Sequence, residues 1–394
     1  MSHFFKLSPF KTIPMLALSL TLAACGGGGG TDTPDPVTPI TPTTPTTPTS
    51  TDDEQFGLWL TGLATNYILP SYQDLQDKAQ LLSTQSNNFC ALTTATNTDL
   101  ETLQQSWGDF NASWQDIQWL KVGPVLTSSR NLRIEFWPDS NDAVENGLNS
   151  LLLSAEPLTA EYVSGRNVGG QGIPALEILL FTDVAQASLL SADDKAKRCE
   201  AVQAISENLV NITTDVNTEW HASGGNYVDS LTGGTGEFTS KKDAVEELVT
   251  NWLEQVERVK DEKLLQPLAD VAPGQPSMAE FTYSNEVIAS VKVNIASFSK
   301  LFTANNDHGF DDILTDHFDQ QAISTDMAAK IAAIEVSVNA LDSNMTFAQL
   351  LNDEDSRVQI TELIQKIREL RDVLTADFIQ ATDINIGFNS NDGD

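Results

Sequence analysis

Residues 169–181 read Gly-Gly-Gln-Gly-Ile-Pro-Ala-Leu-Glu-Ile-Leu-Leu-Phe, a glycine-rich lead followed by an apolar run with a single carboxylate. Pro174 suits the first turn of a helix, because the N–H that proline lacks has no helical partner there. In such a helix Glu177 shares a face with apolar residues at i−4, i+3 and i+4. A carboxylate on an apolar face must be paired, hydrogen-bonded or protonated. The alternative is an acid near a helix N-terminus that the helix dipole stabilises and water partly solvates.

Apolar residues recur at helical spacing in several further segments. The segments predicted as helices are Leu100–Ile117, Asp142–Leu153, Val202–Val216, Val245–Val259, Val287–Phe302 and Ile360–Phe378. Residues 54–85 are predicted as two helical pieces with a break near Pro70, and residues 130–139 alternate in a way that favours a short extended segment. No run indicates a multi-stranded sheet. The predicted fold class is therefore all-α, with helices long enough for antiparallel bundles.

The N-terminus has the features of a lipoprotein signal peptide, predicted over residues 1–24. Two lysines precede the short apolar run Ile13–Leu22, and Leu22-Ala-Ala-Cys25 resembles the bacterial lipobox. A segment this short does not span a bilayer and is normally removed. We expect Cys25 to be lipidated and to anchor the chain to a membrane. Gly26, rather than aspartate, follows the cysteine, which predicts an outer-membrane lipoprotein that faces the periplasm.

The next segment, residues 25–51, is a glycine run followed by Thr-Pro repeats. Val37 and Ile40 are too few apolar residues to form a core, so we predict a disordered, extended tether. A first helical domain is predicted over residues 52–225 and a second over residues 226–394. The glycine-, serine- and threonine-rich segment 221–240 is taken as the junction between these halves.

The charge balance limits the partners of the chain. It has 22 Lys+Arg against 55 Asp+Glu, a formal net charge of −33. Such a charge argues against nucleic acid as a partner and against anionic lipid as the main one. It permits cation binding, although acidic surface commonly serves solvation alone.

The cysteines predict one disulfide. Of three cysteines, Cys25 is assigned to the lipid, which leaves Cys90 and Cys199 as an even pair. The cell envelope permits disulfides, and neither cysteine lies in a C-x-x-C motif or near a histidine. We therefore expect Cys90 and Cys199 to be bonded.

Three stretches together resemble the imelysin family of bacterial envelope proteins, which includes iron-regulated members and a metallopeptidase. Gly172-Ile-Pro-Ala-Leu-Glu177 resembles the family motif G-x-H-x-x-E, with Pro174 at the position of the histidine. The stretches 131–139 and 387–394 resemble the same family, so the likeness extends over roughly residues 55 to 394. The resemblance implies two helical-bundle halves related by approximate internal symmetry.

Histidines and acids offer one weak metal candidate. No histidine stands in H-E-x-x-H or a comparable spacing. The segment 307–317 gathers four aspartates and two histidines, and His308, Asp311, Asp312 and His317 could bind a divalent or ferric ion. The alternative is a solvated acidic turn. We do not expect the G-x-P-x-x-E motif to hold zinc by itself, because it supplies one carboxylate and no imidazole.

The candidate ligand site is a cleft between the two halves. We expect Glu177 to meet Arg133, because arginine can bind a carboxylate through two hydrogen bonds. Pro174 belongs to this site, and Glu135, Trp137, Asp392 and Asp394 would line or close the cleft. The rival hypothesis is a protonated or solvated Glu177 with no arginine nearby.

Three functions fit the sequence. The first is a non-enzymatic envelope lipoprotein linked to iron or metal uptake, which binds a metal, a small ligand or a partner protein in the cleft. The second is a metallopeptidase, as the resemblance implies, although Pro174 removes the motif histidine and a zinc hydrolase needs about three protein ligands. The third is an envelope protein-interaction module without a small ligand.

Overall fold

Helices form nearly all of the regular structure in the computed structural model, which describes residues 51–191 and 195–387. Within those ranges no residue lies in a β-strand, so the all-α prediction is confirmed. The α-helices are α1 Asp52–Leu63, α2 Leu69–Ala91, α3 Asn97–Ile117, α4 Arg130–Ile134, α5 Ala143–Leu152, α6 Ala160–Ser164, α7 Ile173–Phe181, α8 Asp183–Ser191, α9 Lys195–Trp220, α10 Tyr227–Gly233, α11 Lys241–Arg258, α12 Gln266–Leu268, α13 Val287–Phe302, α14 Phe310–Asp312, α15 Gln321–Asn339, α16 Phe347–Asn352, α17 Glu354–Val373 and α18 Ile379–Thr382.

Several predicted features lie outside the described residues. These are the signal peptide, Cys25 and all but the last residue of the tether, together with Asp392 and Asp394.

The first-half core forms around α2, which packs against both α3 and α9. Thr96 and Asp99 form a reciprocal capping box that begins α3, and its apolar face is buried as the spacing predicts. Cys90 of α2 and Cys199 of α9 are bonded, with their Cα atoms 5.6 Å apart. The predicted disulfide is confirmed, and it fixes α9 against α2.

The second-half core contains α11, α13, α15 and α17, which pack on one another. Three of these helices follow the predicted spacing, whereas α15 is a helix that we did not predict. Its buried apolar side chains Met327, Ile331, Ile334 and Val338 recur at spacings of four and three, but alanine occupies four of the eight positions between them.

The N-terminal helix α1 lies against helices of the second half. Trp59 stacks on Phe310 with ring centroids 4.5 Å apart, and its indole N–H donates to the Leu301 carbonyl at 3.2 Å. A π-helical turn at Ala64–Ile68 then joins α1 to α2, at the break predicted near Pro70. The widened turn lets one nearly continuous helix contribute to the cores of both halves.

One part of the secondary-structure prediction is wrong. Residues Arg130–Ile134 form the short helix α4 rather than an extended segment, and Glu135, directly after it, is extended. The physical reason is a contact with a distant helix, which the alternating pattern of residues 130–139 does not reveal. Arg130 donates to the carboxylates of Asp215 and Glu219 on α9, at 3.2 and 2.8 Å, which holds α4 on that helix.

A single hydrophobic cluster runs through both halves, and residues Ser50–Asp394 form one compact unit. The boundary between residues 225 and 226 and the internal symmetry stay predictions. Among the described residues no single helix is long and apolar enough to cross a membrane. Together α7 and α8 reach that length and composition, but they are bent by 70°.

Candidate functional site

The motif helix α7 begins where two backbone segments touch. A Cβ on Gly172 would lie 2.2 Å from the carbonyl oxygen of Ile134, so only glycine allows α7 to start against the end of α4. Pro174 occupies the first turn, as predicted. This contact places Glu177, one turn further on, beside the segment that follows α4.

Glu177 is 5% exposed, and its hydrogen bonds come from the second half of the chain. The backbone N–H and the hydroxyl of Ser284 both donate to Oε1 at 2.8 Å. Burial raises the pKa of Glu177 to about 7, and the hydrogen bonds from Ser284 hold it below the value that burial alone would give. The carboxyl group is therefore partly protonated near neutral pH.

The predicted pair between Glu177 and Arg133 is wrong. The Arg133 guanidinium donates instead to Gln171 Oε1 at 2.9 Å and to Asn208 Oδ1 at 3.2 Å. Arg133 lies on α4, which packs on α9, and these neutral amides satisfy it there. Within the described ranges Glu177 forms no ion pair, so the rival hypothesis, a Glu177 without arginine, describes this position.

A cavity of about 670 Å³ opens beside Glu177. One wall comes from the first half of the chain, through residues 136–145 and the start of α7, and the other comes from Gln266 and residues 277–283. Of the predicted site residues, Pro174, Glu177 and Trp137 line it. The structure therefore brings these three predicted residues together, in a cavity whose walls come from both halves of the sequence.

The charged residues of the cavity wall are all acidic. They are Asp139, Asp142, Glu145, Glu177 and Glu280. Asp139 is committed to the fold, because its carboxylate accepts the backbone N–H groups of Ala143 and Val144 at 2.9 and 2.8 Å and begins α5. The charge of Glu280 is neutralised by Lys263, a buried lysine behind the cavity wall. Asp142 and Glu145 are exposed at the rim, which leaves Glu177 as the unpaired acid of the inner wall.

That lysine, Lys263, is 1% exposed and organises the floor behind the cavity. Its Nζ donates to Glu280 Oε2 and Gln115 Oε1 at 2.7 Å and to Asn294 Oδ1 at 2.8 Å. All three donors of the ammonium group are thus used. No local sequence pattern marks this network, because its members come from α3, α13, the π-helical turn Val259–Leu265 and the cavity-lining residues 277–283.

Glu135 lies within the same floor and does not line the cavity. Its carboxyl accepts from the Trp114 indole at 2.7 Å and from Gln115 at 3.2 Å. Burial, and then the neighbouring charge of Glu280, raise the pKa of Glu135 to about 8. A neutral Glu135 can share its proton with Glu280, whose Oε1 is buried and has no other donor in the described chain.

The ring of Trp137 forms part of the cavity wall and already has two cations near it. The Arg258 guanidinium lies 5.3 Å from the ring centroid and Lys263 Nζ lies 5.7 Å from it. Arg258 also donates to the Trp137 carbonyl at 2.6 Å. Trp137 is therefore held in place by the second half of the chain.

The predicted metal cluster does not assemble. His308 contacts Gln55, and His317 contacts Asp52, both on α1. In the described part of the chain no group of three or more His, Cys, Asp or Glu side chains is arranged to hold a metal ion. At the motif, Pro174 supplies no donor, so the side chains around Glu177 do not fit a protein-only metal site.

The fold and the site define an all-α protein with an acidic cavity between its halves. The family model described as Imelysin (peptidase M75) matches residues 68–374, and the chain belongs to the imelysin family. An imelysin-like protein from Psychrobacter arcticum 273-4 has a similar structure, with a TM-score of 0.70 and 20% identity, over 86% of this chain and 99% of that one.

A second solved structure is also similar, that of a protein assigned as an iron-regulated protein A precursor from Parabacteroides distasonis ATCC 8503. The TM-score is 0.65 at 16% identity, over 83% of this chain and 95% of that one. At these identities the two structures show a common fold. No curated protein matches the chain.

Proposed function

We propose that the chain is a non-enzymatic binding protein of the bacterial cell envelope, linked to iron or metal uptake, with its ligand site in the cavity beside Glu177. The observation that carries the proposal is the cavity itself. Its volume of about 670 Å³ lies in the range of small-molecule sites, and a buried carboxylate without an ion pair stands on its inner wall.

The cellular setting of the proposal has two supports. A structurally similar protein is assigned as an iron-regulated protein A precursor. The sequence Leu22-Ala-Ala-Cys25 resembles a lipobox, which supports a lipid anchor at Cys25, attachment to the outer membrane and exposure to the periplasm.

The side chains available as metal ligands favour a binding function over peptide hydrolysis. A zinc peptidase places about three protein ligands and a water on one ion. Here the motif supplies Glu177 alone, and the neighbouring acid Asp139 is bonded to backbone N–H groups. A molecule that fits the cavity, with or without a metal of its own, suits these residues better than a bare ion.

Native mass spectrometry and metal analysis of the full chain, purified from its own host, test the proposal. We expect a bound small molecule or metal complex in the parent protein. Ser277→Trp, which adds a large ring to an exposed position of the cavity wall, should abolish it, whereas the matched Ala332→Trp on α15 should retain it. The host should also raise production of the protein under iron starvation.

Two results would contradict the proposal. One is a parent protein with no bound mass under either iron condition. The other is peptide cleavage that a chelator abolishes, which would establish the metallopeptidase function instead.

A further inference from the structure

We propose that the cavity takes a compact organic cation, an amine with an apolar body, and that the positive group of this ligand pairs with Glu177. The inference rests on the proposed function, because it assigns a chemical class to the ligand of the same cavity. Three features of the wall carry it: the sign of its charges, the position of its one unpaired inner acid, and the apolar surface opposite.

The negative charge of the cavity wall disfavours an anionic ligand. Its charged side chains are five acids, with no lysine, arginine or histidine among the lining residues. The cations that approach from behind are already paired, Lys263 with Glu280 at 2.7 Å and Arg258 with Glu262 at 3.3 Å. An anionic ligand would therefore meet uncompensated negative charge, whereas a cation would relieve it.

Glu177 is arranged to receive a donor. Both hydrogen bonds from Ser284 end on Oε1, and the backbone N–H of Tyr283 also stabilises the carboxylate, while no side chain in the described ranges pairs with it as a cation. A buried carboxylate favours a charged partner, and hydrogen bonds between ionised groups are the strong ones. An ammonium group at this position would restore the ion pair that the chain itself does not supply.

The remaining wall is apolar and partly aromatic. It contains Phe136, Ile178, Met278, Phe281 and Tyr283, and the last of these is 58% exposed at the rim. A wall of apolar and aromatic side chains with a few placed polar groups is typical of a small-molecule site.

Phe281 adds a second mark of function to this wall. Its backbone has a φ of 53°, in the left-handed region that a bulky side chain rarely adopts. Its ring packs edge-on against Trp107, with the ring centroids 5.7 Å apart. Such strain is concentrated at binding sites.

The positive group is assigned to Glu177 and not to the ring of Trp137. Arg258 and Lys263 already lie within 6 Å of that ring. A third cation there would be repelled, so Trp137 acts as an apolar wall. A bare metal ion is disfavoured because no three potential ligands converge among the described residues.

Isothermal titration calorimetry with three probes of one shape tests the proposal on the full chain. The probes are phenethylamine, 2-phenylethanol and phenylacetate, which share a phenyl ring on a two-carbon unit and end in a cationic, a neutral and an anionic group. At pH 8 the amine should bind about tenfold or more tightly than the alcohol, since its ammonium forms an ion pair with the Glu177 carboxylate, whereas the hydroxyl forms a hydrogen bond alone. Phenylacetate should bind most weakly of the three.

Variants locate the effect. Glu177→Gln should reduce the affinity for phenethylamine to about that for the alcohol, and should change the affinity for the alcohol much less. The matched control is Glu362→Gln, which alters an exposed acid on α17 and should change neither affinity. Circular dichroism and denaturant unfolding establish that both variants are folded.

Three outcomes would overturn the cation proposal: phenylacetate that binds as tightly as the amine, an amine affinity that Glu177→Gln does not alter, or no binding of any probe. The proposed function is judged separately, by the molecule that co-purifies with the parent protein and is absent from Ser277→Trp. A neutral or anionic co-purifying ligand would leave the binding function standing and refute only its chemical class.

Discussion

Replacing Lys263 with methionine should destabilise the fold through the cavity floor. Its ammonium group is 1% exposed and donates to Glu280, Gln115 and Asn294, all within 2.8 Å. Methionine keeps most of the apolar volume but supplies no donor, so a buried carboxylate and two amide oxygens lose their partner. Removing one partner of a buried ion pair costs about 3–5 kcal/mol, and we expect a loss of that size in the free energy of unfolding.

Equilibrium unfolding of the full chain in guanidinium, with the disulfide intact, measures this loss. The matched control is Lys300→Met, which breaks a partly exposed pair with Asp116 at 2.6 Å and should cost about 1 kcal/mol or less. Combining Lys263→Met with Glu280→Gln should restore about 1–3 kcal/mol, because the uncompensated charge is gone. Equal losses in unfolding free energy for the two lysine variants would refute the role of Lys263 as a buried ion-pair partner. No recovery in the double variant would refute it as well.

Three further changes test the disulfide, the titration of the motif acid and the helix contact. Serine at both Cys90 and Cys199 should lower the free energy of unfolding by about 3–5 kcal/mol in the same assay, since the bond closes a sequence separation of 109 residues. Glu177→Gln should gain stability relative to the parent chain, by roughly 2–3 kcal/mol, between pH 4.5 and pH 8. Burial raises the pKa of Glu177 from its ordinary 4.5 to about 7, so the parent loses the stability of the bound proton as the pH rises through that value, whereas glutamine does not titrate. A difference that is constant with pH would contradict this sign. Gly172→Ala should destabilise by about 1–3 kcal/mol or prevent folding, because its Cβ would meet backbone at 2.2 Å. Gly108→Ala, in open space on α3, should be neutral or stabilising by about 0.5–1 kcal/mol, and equal effects of the two alanines would refute the close contact.

The sequence predicts the helices where large apolar residues repeat without interruption. Helix α3 is the clear case, since its spacing and its cap residues are both local. Helix α15 is harder to predict because alanine occupies four of the eight positions between its four buried apolar anchors, which weakens the contrast between its faces. The extended segment predicted at Arg130 failed for a different reason, because its geometry depends on carboxylates of α9 about 85 residues away.

In the candidate site, too, features that depend on nearby residues are predictable and features that depend on distant residues are not. That Glu177 is buried on an apolar face follows from the residues one turn away, and the structure agrees. Its partner could not be predicted, because Ser284 lies 107 residues further along the chain and a serine hydroxyl has no distinctive sequence pattern. Arginine is the strongest partner for a carboxylate, so sequence reasoning favours it here over a serine. In the fold, Arg133 donates instead to the neutral amides of Gln171 and Asn208, and Glu177 has no cationic partner among the described residues.

The charge that the cavity presents to a ligand follows from the balance of its floor. Glu135, Glu280 and Lys263 are packed together, and the raised pKa of Glu135, about 8, keeps that carboxyl mostly protonated at neutral pH. The remaining charges, one carboxylate and one ammonium, cancel within a 2.7 Å contact. The floor is therefore close to neutral, and the inner charge of the cavity is that of Glu177 alone. Because the hydroxyl and amide of Ser284 favour its ionised form and burial opposes it, a positive ligand group is what completes the ionisation of this one residue.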